Sequence, residues 1–306
     1  MGMKIGIPRA MLYYRYHTLW ETFFTALGHE IVLSEETSRE LLEKGSALCI
    51  DETCLSAKIW FGHAGSLVGR CDALFVPRIA SFGRLRYMCT RFEALPDLTR
   101  CVFRQSGQRI VDCNVDVLNG CGEAEAYIRL AQELGATPRE AKSAWKEARR
   151  AADKEWKNVV RQEDALSRRE GLKVLLAAHS YVYEDAWIGR PVTAFLEKSG
   201  ITVLHADRVD RDLALRYSEV ISPTCRWEVS REIMGGIAQR KDQVNGVILM
   251  SAFPCGPDAM VNDMCQRKFP GLPMLNLTLD GQSGSAGQET RLESFTDIIR
   301  FKEGLM

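Results

Sequence analysis

No two of the ten cysteines stand in a CxxC pair. That removes the usual sequence basis for a zinc ribbon, a thioredoxin-like dithiol or a ferredoxin-type cluster run. Net charge is missing too, since forty basic and forty acidic residues cancel. Such a balance argues against nucleic acid or a membrane surface as the main partner. No apolar run approaches the length of a bilayer span, and Met1-Gly2-Met3-Lys4 leads into a strand without a signal-peptide pattern, so a cytoplasmic protein is expected. No GxGxxG follows a first strand and no GKS/T ending occurs, which leaves no dinucleotide fingerprint and no P-loop. Histidine is scarce, with five scattered residues.

What the chain does have is length and a regular alternation of elements. Its 306 residues can bury a sizeable core in more than one domain. Lys4 to Pro8 reads as a strand, and Leu12 to Leu27 carries apolar residues at helical spacing closed by Gly28. His29 to Leu33 is a second strand, and a polar turn through Ser34 and Thr37 leads to a helix around Arg39 to Glu43. A helix over Lys58 to Leu67, a strand over Asp72 to Pro77, a long loop from Arg78 to Cys89 and a strand over Arg109 to Cys113 follow. From Glu123 to about Arg169 the composition is helical, broken at Thr137-Pro138.

A second series then opens at Leu172 to Ala177, and it repeats the first. The order strand, Tyr13-Tyr14, Trp20, Phe23-Phe24, Gly28, strand has a counterpart in Lys173 to Ala177, Tyr181 and Tyr183, Trp187, Phe195-Leu196, Gly200 and Val203-Leu204. Asp72 to Pro77 followed by Cys89 resembles Asn245 to Met250 followed by Cys255. The expected fold class is α/β, two Rossmann-like lobes with parallel sheets (1–120 and 171–306) joined by a helical connector (121–170). Related lobes would bring the loops of Cys89 and Cys255 to face each other across a cleft.

Ten thiols in a reducing compartment are not expected to pair as disulfides. Cys255 lies between Pro254 and Gly256-Pro257, at the C-terminal end of the apolar run Val247 to Met250, where open α/β sheets bind ligands. Cys54 falls at a helix start, where the dipole favours thiolate, with Asp51 or Thr53 as candidate caps. Cys89 ends the long loop, among Arg84, Arg86 and Arg91. These three are candidate ligands of a metal or iron–sulfur cluster, and Cys225 is an optional fourth. Inert buried thiols, zinc ligation and a cysteine nucleophile at Cys255 remain open alternatives. Cys49 and Cys265 read as core. His63 is the histidine nearest a candidate site. The glycine-serine loop Asp280 to Gly287 has the composition of an anion cradle or of a plain connection.

The chain resembles the acyl-CoA dehydratase activase-related proteins, allied to the 2-hydroxyacyl-CoA dehydratase and benzoyl-CoA reductase iron–sulfur subunits. The resemblance is carried by Ile5 to Ala10 with Tyr13-Tyr14, Asp51 to Cys54 with Lys58 and Gly62-His63, Phe75 to Arg78, and Cys89 before Leu95-Pro96-Asp97. It continues through Phe253, Cys255 to Asp258, Asp280, Gln282, Gly287 and Thr290 to Glu293. It implies a [4Fe-4S] cluster ligated by Cys54, Cys89 and Cys255, and an ATP-hydrolysing activator of the sugar kinase, Hsp70 and actin superfamily that delivers a low-potential electron. This chain lacks the ATPase motifs, so the resemblance makes it the electron acceptor. Gly281 stands where an acidic residue is expected, which weakens any role for that loop, and Cys225 stands where a tyrosine is usual, which leaves the ligand count open.

The leading expectation is an oxygen-sensitive iron–sulfur oxidoreductase or dehydratase-like component, with Arg9, Lys58, His63 and Arg78 lining the site around a small substrate. The alternatives are a non-catalytic carrier or scaffold binding the activator, and a cluster-free phosphate- or nucleotide-binding module. A homodimer is compatible with each.

Overall fold

A computed structural model describes residues 2–281 and 285–305. Contacts divide the chain into two units, Met1–Lys157 and Asn158–Met306. Unit 1 opens with β1 (Lys4–Ile7), α1 (Tyr13–Ala26), β2 (Glu30–Leu33), α2 (Arg39–Ala47), α3 (Leu55–Leu67) and β3 (Ala73–Phe75). It continues with β4 (Arg78–Ser81), α4 (Thr90–Val102), β5 (Arg109–Val111), β6 (Asn114–Asp116) and α5 (Glu123–Glu133). The main sheet runs β2-β1-β3-β5 with every pair parallel. Ile5, Ile7 and all of β3 are buried, the continuous apolar pattern of strands covered on both faces.

Local chemistry sets the boundaries. Gly28 takes a left-handed φ of 79° just past α1, the conformation that ends a helix with least strain in glycine. Ser38 caps α2 by accepting from the Leu41 amide. The helix α6 (Pro138–Ser167) starts at its proline, and Thr137 and Glu140 form a reciprocal capping box, each accepting from the other's backbone amide. The core of unit 1 is aromatic: Trp20 and Phe24 meet Phe75 edge-on at 5.2 and 5.0 Å, and Tyr127 stacks on Trp145 at 5.0 Å. The Trp20 Nε1–H donates to the Tyr127 hydroxyl at 2.7 Å, fully enclosed.

Unit 2 contains β7 (Lys173–Ala177), α7 (Ser180–Tyr183), α8 (Arg190–Lys198), β8 (Thr202–His205), α9 (Arg211–Ser218) and α10 (Glu228–Arg240). β9 (Gly246–Ala252), α11 (Gly256–Lys268), β10 (Met274–Leu279) and α12 (Ser285–Lys302) complete it. Its sheet runs β8-β7-β9-β10, again all parallel. This is the strand order of unit 1, element for element. The Lys4 amide donates to the Asp72 carboxylate at 2.6 Å, and the Lys173 amide donates to the Asn245 side chain at 2.8 Å. The repeat in the sequence is therefore a repeat of topology and of individual hydrogen bonds.

The helical pair after each second strand is also shared. A Cβ on Gly62 of α3 would lie 2.3 Å from the Leu41 carbonyl of α2, and one on Gly235 of α10 would lie 1.9 Å from the Ala214 carbonyl of α9. Both pairs thus pack backbone against backbone at a glycine. Gly235-Gly236 reads in sequence as the end of a helix, yet α10 continues to Arg240. The glycines are there because Gly236 must also pass Ala206, whose carbonyl would lie 1.7 Å from an added Cβ. A second departure is the small parallel sheet of β4 and β6, in a stretch expected to be loop from Arg78 onward. The far end of α6 belongs to unit 2, where buried Glu163 accepts from the His205 amide and Asp164 pairs with Arg240 at 2.8 Å. Among the described residues no helix is long and apolar enough to cross a membrane.

Candidate functional site

Of the ten cysteines, three hold the same structural position. Cys54 is the N-cap of α3, Cys89 of α4 and Cys255 of α11, each with extended backbone and no side-chain capping bond. All three are only partly buried. Cys54 is itself the N-cap, not a first-turn residue as expected with Asp51 or Thr53 as cap. An N-cap thiol faces the positive end of its helix and the first-turn amides that lack intrahelical acceptors. That environment suits a thiolate bonded to a metal.

The buried cysteines look different. Burial pushes the Cys113 and Cys265 thiols up to about 12, and it also raises Cys71 and Cys225. Cys225 lies just ahead of α10, its amide donating to Ser222 at 3.2 Å, and it sits within electrostatic reach of Cys265. Cys49, expected to be core, is only partly buried. Burial raises its pKa, opposed by Lys58 and Arg91 and by a bond with Thr53, and Cys54 lies within electrostatic reach of it. Lys58 lies in the first turn of α3 and Arg91 in the first turn of α4, so charge from the starts of both cysteine-capped helices of unit 1 acts on this thiol. Position alone did not reveal Cys49; its half-polar setting, five residues before Cys54, was the available signal.

In each sheet the strand order reverses between two neighbours, β1 and β3 in unit 1 and β7 and β9 in unit 2, and the crevice at their C-terminal ends is the usual ligand site. Arg9 lies two residues past β1, and Arg78, the first residue of β4, three residues past β3. Arg78 donates to the Glu93 carbonyl at 2.6 Å and to both oxygens of Asp97 at 2.9 and 2.8 Å. It is a clamp on α4, the helix that Cys89 caps. The Arg9 amide donates to Ser34 Oγ at 2.8 Å, its guanidinium stands 4.0 Å from Glu36, and its buried Nε meets no acceptor among the described residues. Lys58 donates to the Asp51 carbonyl at 2.9 Å, closing the turn that carries Cys54.

His63 is wholly buried, with Nδ1 2.7 Å from Ser34 Oγ and Nε2 2.9 Å from Thr37 Oγ1. Burial, with Arg9 nearby, lowers its pKa to about 3. The imidazole is neutral and both nitrogens are engaged in holding the β2–α2 turn. Along α3 from His63 to Cys54 the helix rises about 13 Å. Cys54 therefore stands well away, along α3, from the contact of His63 with the β2–α2 turn.

At the crevice of unit 2 the structure adds a pair that sequence reasoning missed. His179, two residues past β7, meets Asp258 through Nε2 at 2.8 Å, and both are buried. Asp258 occupies the first turn of α11, three residues after Cys255. The His179 ring also stacks on Tyr181 at 4.8 Å. Further along the same edge, Tyr183 donates to Asp207 at 2.9 Å, and Arg208 joins Glu163 at 3.5 Å and Glu184. The candidate anion loop lies partly outside the described residues, since Gln282, Ser283 and Gly284 are not among them.

Among the described residues, no three His, Cys, Asp or Glu side chains are gathered to hold a metal ion. A family model described as the CoA enzyme activase uncharacterised domain (DUF2229) matches residues 4–209. No curated protein matches the chain. Among solved structures, the chain is similar to the SBP FpvC from Pseudomonas aeruginosa in complex with Mn2+, at 16% identity and a TM-score of 0.30 over 98% of each chain. It is also similar to ZnuA, at 10% identity and a TM-score of 0.25, over 98% of this chain and 99% of that one. At such TM-scores neither likeness carries an argument about fold or ligand.

Proposed function

Because the chain belongs to the family of the CoA enzyme activase uncharacterised domain, we propose that it is the iron–sulfur component of a CoA-enzyme system. In this reading it accepts low-potential electrons from an ATP-hydrolysing activator and reduces a small substrate of acyl-CoA type. The thiols of Cys54, Cys89 and Cys255 are the cluster ligands. The observation that supports this assignment is their common place as helix N-caps, a position that no other cysteine of the described chain holds. A cubane cluster held by three thiolates supplies one-electron chemistry with one iron left open.

The remaining residues act by positioning. Lys58 closes the turn before Cys54, Arg78 ties down the helix of Cys89, and Asp258 with His179 fixes the first turn behind Cys255. His63 orders the turn beside Arg9 and is uncharged at neutral pH, with both ring nitrogens already hydrogen-bonded. Arg9 is the group assigned to anionic charge on a substrate, because its Nε meets no acceptor among the described residues.

The engagement of both His63 nitrogens favours a second reading, a non-catalytic electron carrier that docks the activator. The two readings part on one experiment. Chemically reduced, iron-loaded protein is mixed anaerobically with candidate acyl-CoA compounds and its visible absorbance followed. Substrate-dependent reoxidation supports the reductase; reduced protein that stays reduced with every compound but passes electrons to a partner supports the carrier.

A further inference from the structure

We propose that the buried cluster of Glu163, Tyr183, His205, Asp207 and Arg208 is a pH-operated latch on the C-terminal end of α6, closed while Asp207 is neutral and loosened when it ionises. All five residues lie in unit 2, and none belongs to the thiol site. Asp207 is 6% exposed and Glu163 1%. The Tyr183 hydroxyl donates to Asp207 at 2.9 Å, and Glu163 accepts from the His205 amide and lies 3.3 Å from His205 Nδ1. Arg208 pairs with Glu184, stands 3.5 Å from Glu163, and lies over the Tyr183 ring at 5.4 Å.

The charged groups of this cluster come from every element packed around it. α6 supplies Glu163 and Asp164, the end of α7 Glu184, the end of β8 His205, Asp207 and Arg208, α9 Arg211, and α10 Glu232 and Arg240. Glu232 is fully buried and 4.0 Å from Arg211, and Arg240 is engaged by Asp164 at 2.8 Å. Among these residues carboxylates outnumber guanidiniums, and a surplus carboxyl away from water binds a proton rather than carry charge. Burial raises the pKa of Asp207 above the ordinary carboxylate range, with Arg208 and His205 opposing and Glu232 adding to the rise. Glu163 goes the other way: burial opposes its ionisation, but its bonds to His205 and the nearness of Arg208 win and lower its pKa. While Asp207 is neutral, Arg208 serves Glu163 and Glu184. An ionised Asp207, its neighbour in the chain, competes for the same guanidinium and leaves Glu163 a buried charge with a weaker partner. Glu163 is what fastens the end of α6 to the end of β8, so the helix end loosens.

A carboxyl whose folded pKa lies above its unfolded value contributes stability that is complete below the unfolded value and is lost as pH rises through the folded one. Hydrogen exchange read by mass spectrometry over residues 158–167 of α6 and over β9 compares wild type with Asp207→Asn, which keeps an acceptor for Tyr183 but cannot ionise, at matched pH from 5 to 9. The two proteins are expected to exchange alike at the acid end. Toward the alkaline end residues 158–167 of wild type should exchange faster than those of the variant, by about tenfold for each pH unit above the folded pKa, while β9 stays protected in both. A ratio of wild type to variant over 158–167 that is the same at every pH overturns the proposal, and so does a loss of protection shared equally by β9. Should Asp207→Asn not fold, the ratio of exchange at 158–167 to exchange at β9 within wild type is the readout: a rise with pH supports the latch and a constant ratio overturns it.

Discussion

A histidine held neutral inside the protein makes stability depend on pH in a way that can be isolated. The imidazole of His63 has its pKa lowered to about 3 by burial and by Arg9, against about 6.5 in the unfolded chain. Below pH 6.5 the unfolded state binds a proton that the folded state refuses, so stability from this group is complete above that pH and falls as pH drops toward 3. At pH 4.5 the gap from 6.5 is two units at about 1.4 kcal/mol each, or about 2.7 kcal/mol. Urea unfolding at pH 7.5 and 4.5 should show wild type losing more than His63→Gln by about that amount, although the variant is the less stable protein at pH 7.5. Equal losses in the two proteins would refute the claim that His63 is neutral and buried with both nitrogens engaged.

Other consequences follow from single contacts. Tyr127→Phe removes the acceptor of the Trp20 Nε1–H and should cost about 1–3 kcal/mol in urea unfolding. Gly62→Ala and Gly235→Ala force a Cβ against backbone oxygen; each should lower stability by about 1–3 kcal/mol or more, whereas Gly271→Ala, which meets nothing, should stay within about 0.5 kcal/mol. His179→Leu leaves Asp258 buried without its imidazole. After reconstitution this variant should surrender iron to a chelator faster than wild type, with unchanged far-ultraviolet circular dichroism.

The strand and helix alternation was legible because each parallel strand is buried on both faces and reads as an unbroken apolar run, as in β9, all of whose residues are buried. The internal repeat was legible for the same reason, and it extends to the pairing of Asp72 and Asn245 with the first strands. Three features were not. Glycines read as helix ends, but Gly235-Gly236 serve close packing, a property of the neighbouring chain rather than of the segment. β4 and β6 are four and three residues long, too short to show a period. His179 and Asp258 are 79 residues apart, and nothing local marks them as partners. Of the candidate site, the choice of Cys54, Cys89 and Cys255 coincides with the three N-caps. The partners of His63 and Arg78, Ser34 and Thr37 for one and Asp97 for the other, lie 19 to 29 residues away and nothing local marks them.

If the three N-cap thiols hold a cluster, metal analysis of the purified protein reads it as iron per chain. Wild-type protein and the variants Cys54→Ala, Cys89→Ala, Cys255→Ala and Cys113→Ala are purified anaerobically, reconstituted, and assayed for iron, sulfide and visible absorbance. Wild-type and Cys113→Ala proteins should be brown, with about four iron per chain, and each of the other three should show a marked loss of iron. A colourless, iron-free wild-type protein, or iron retained in full by all three N-cap variants, would contradict the cluster reading.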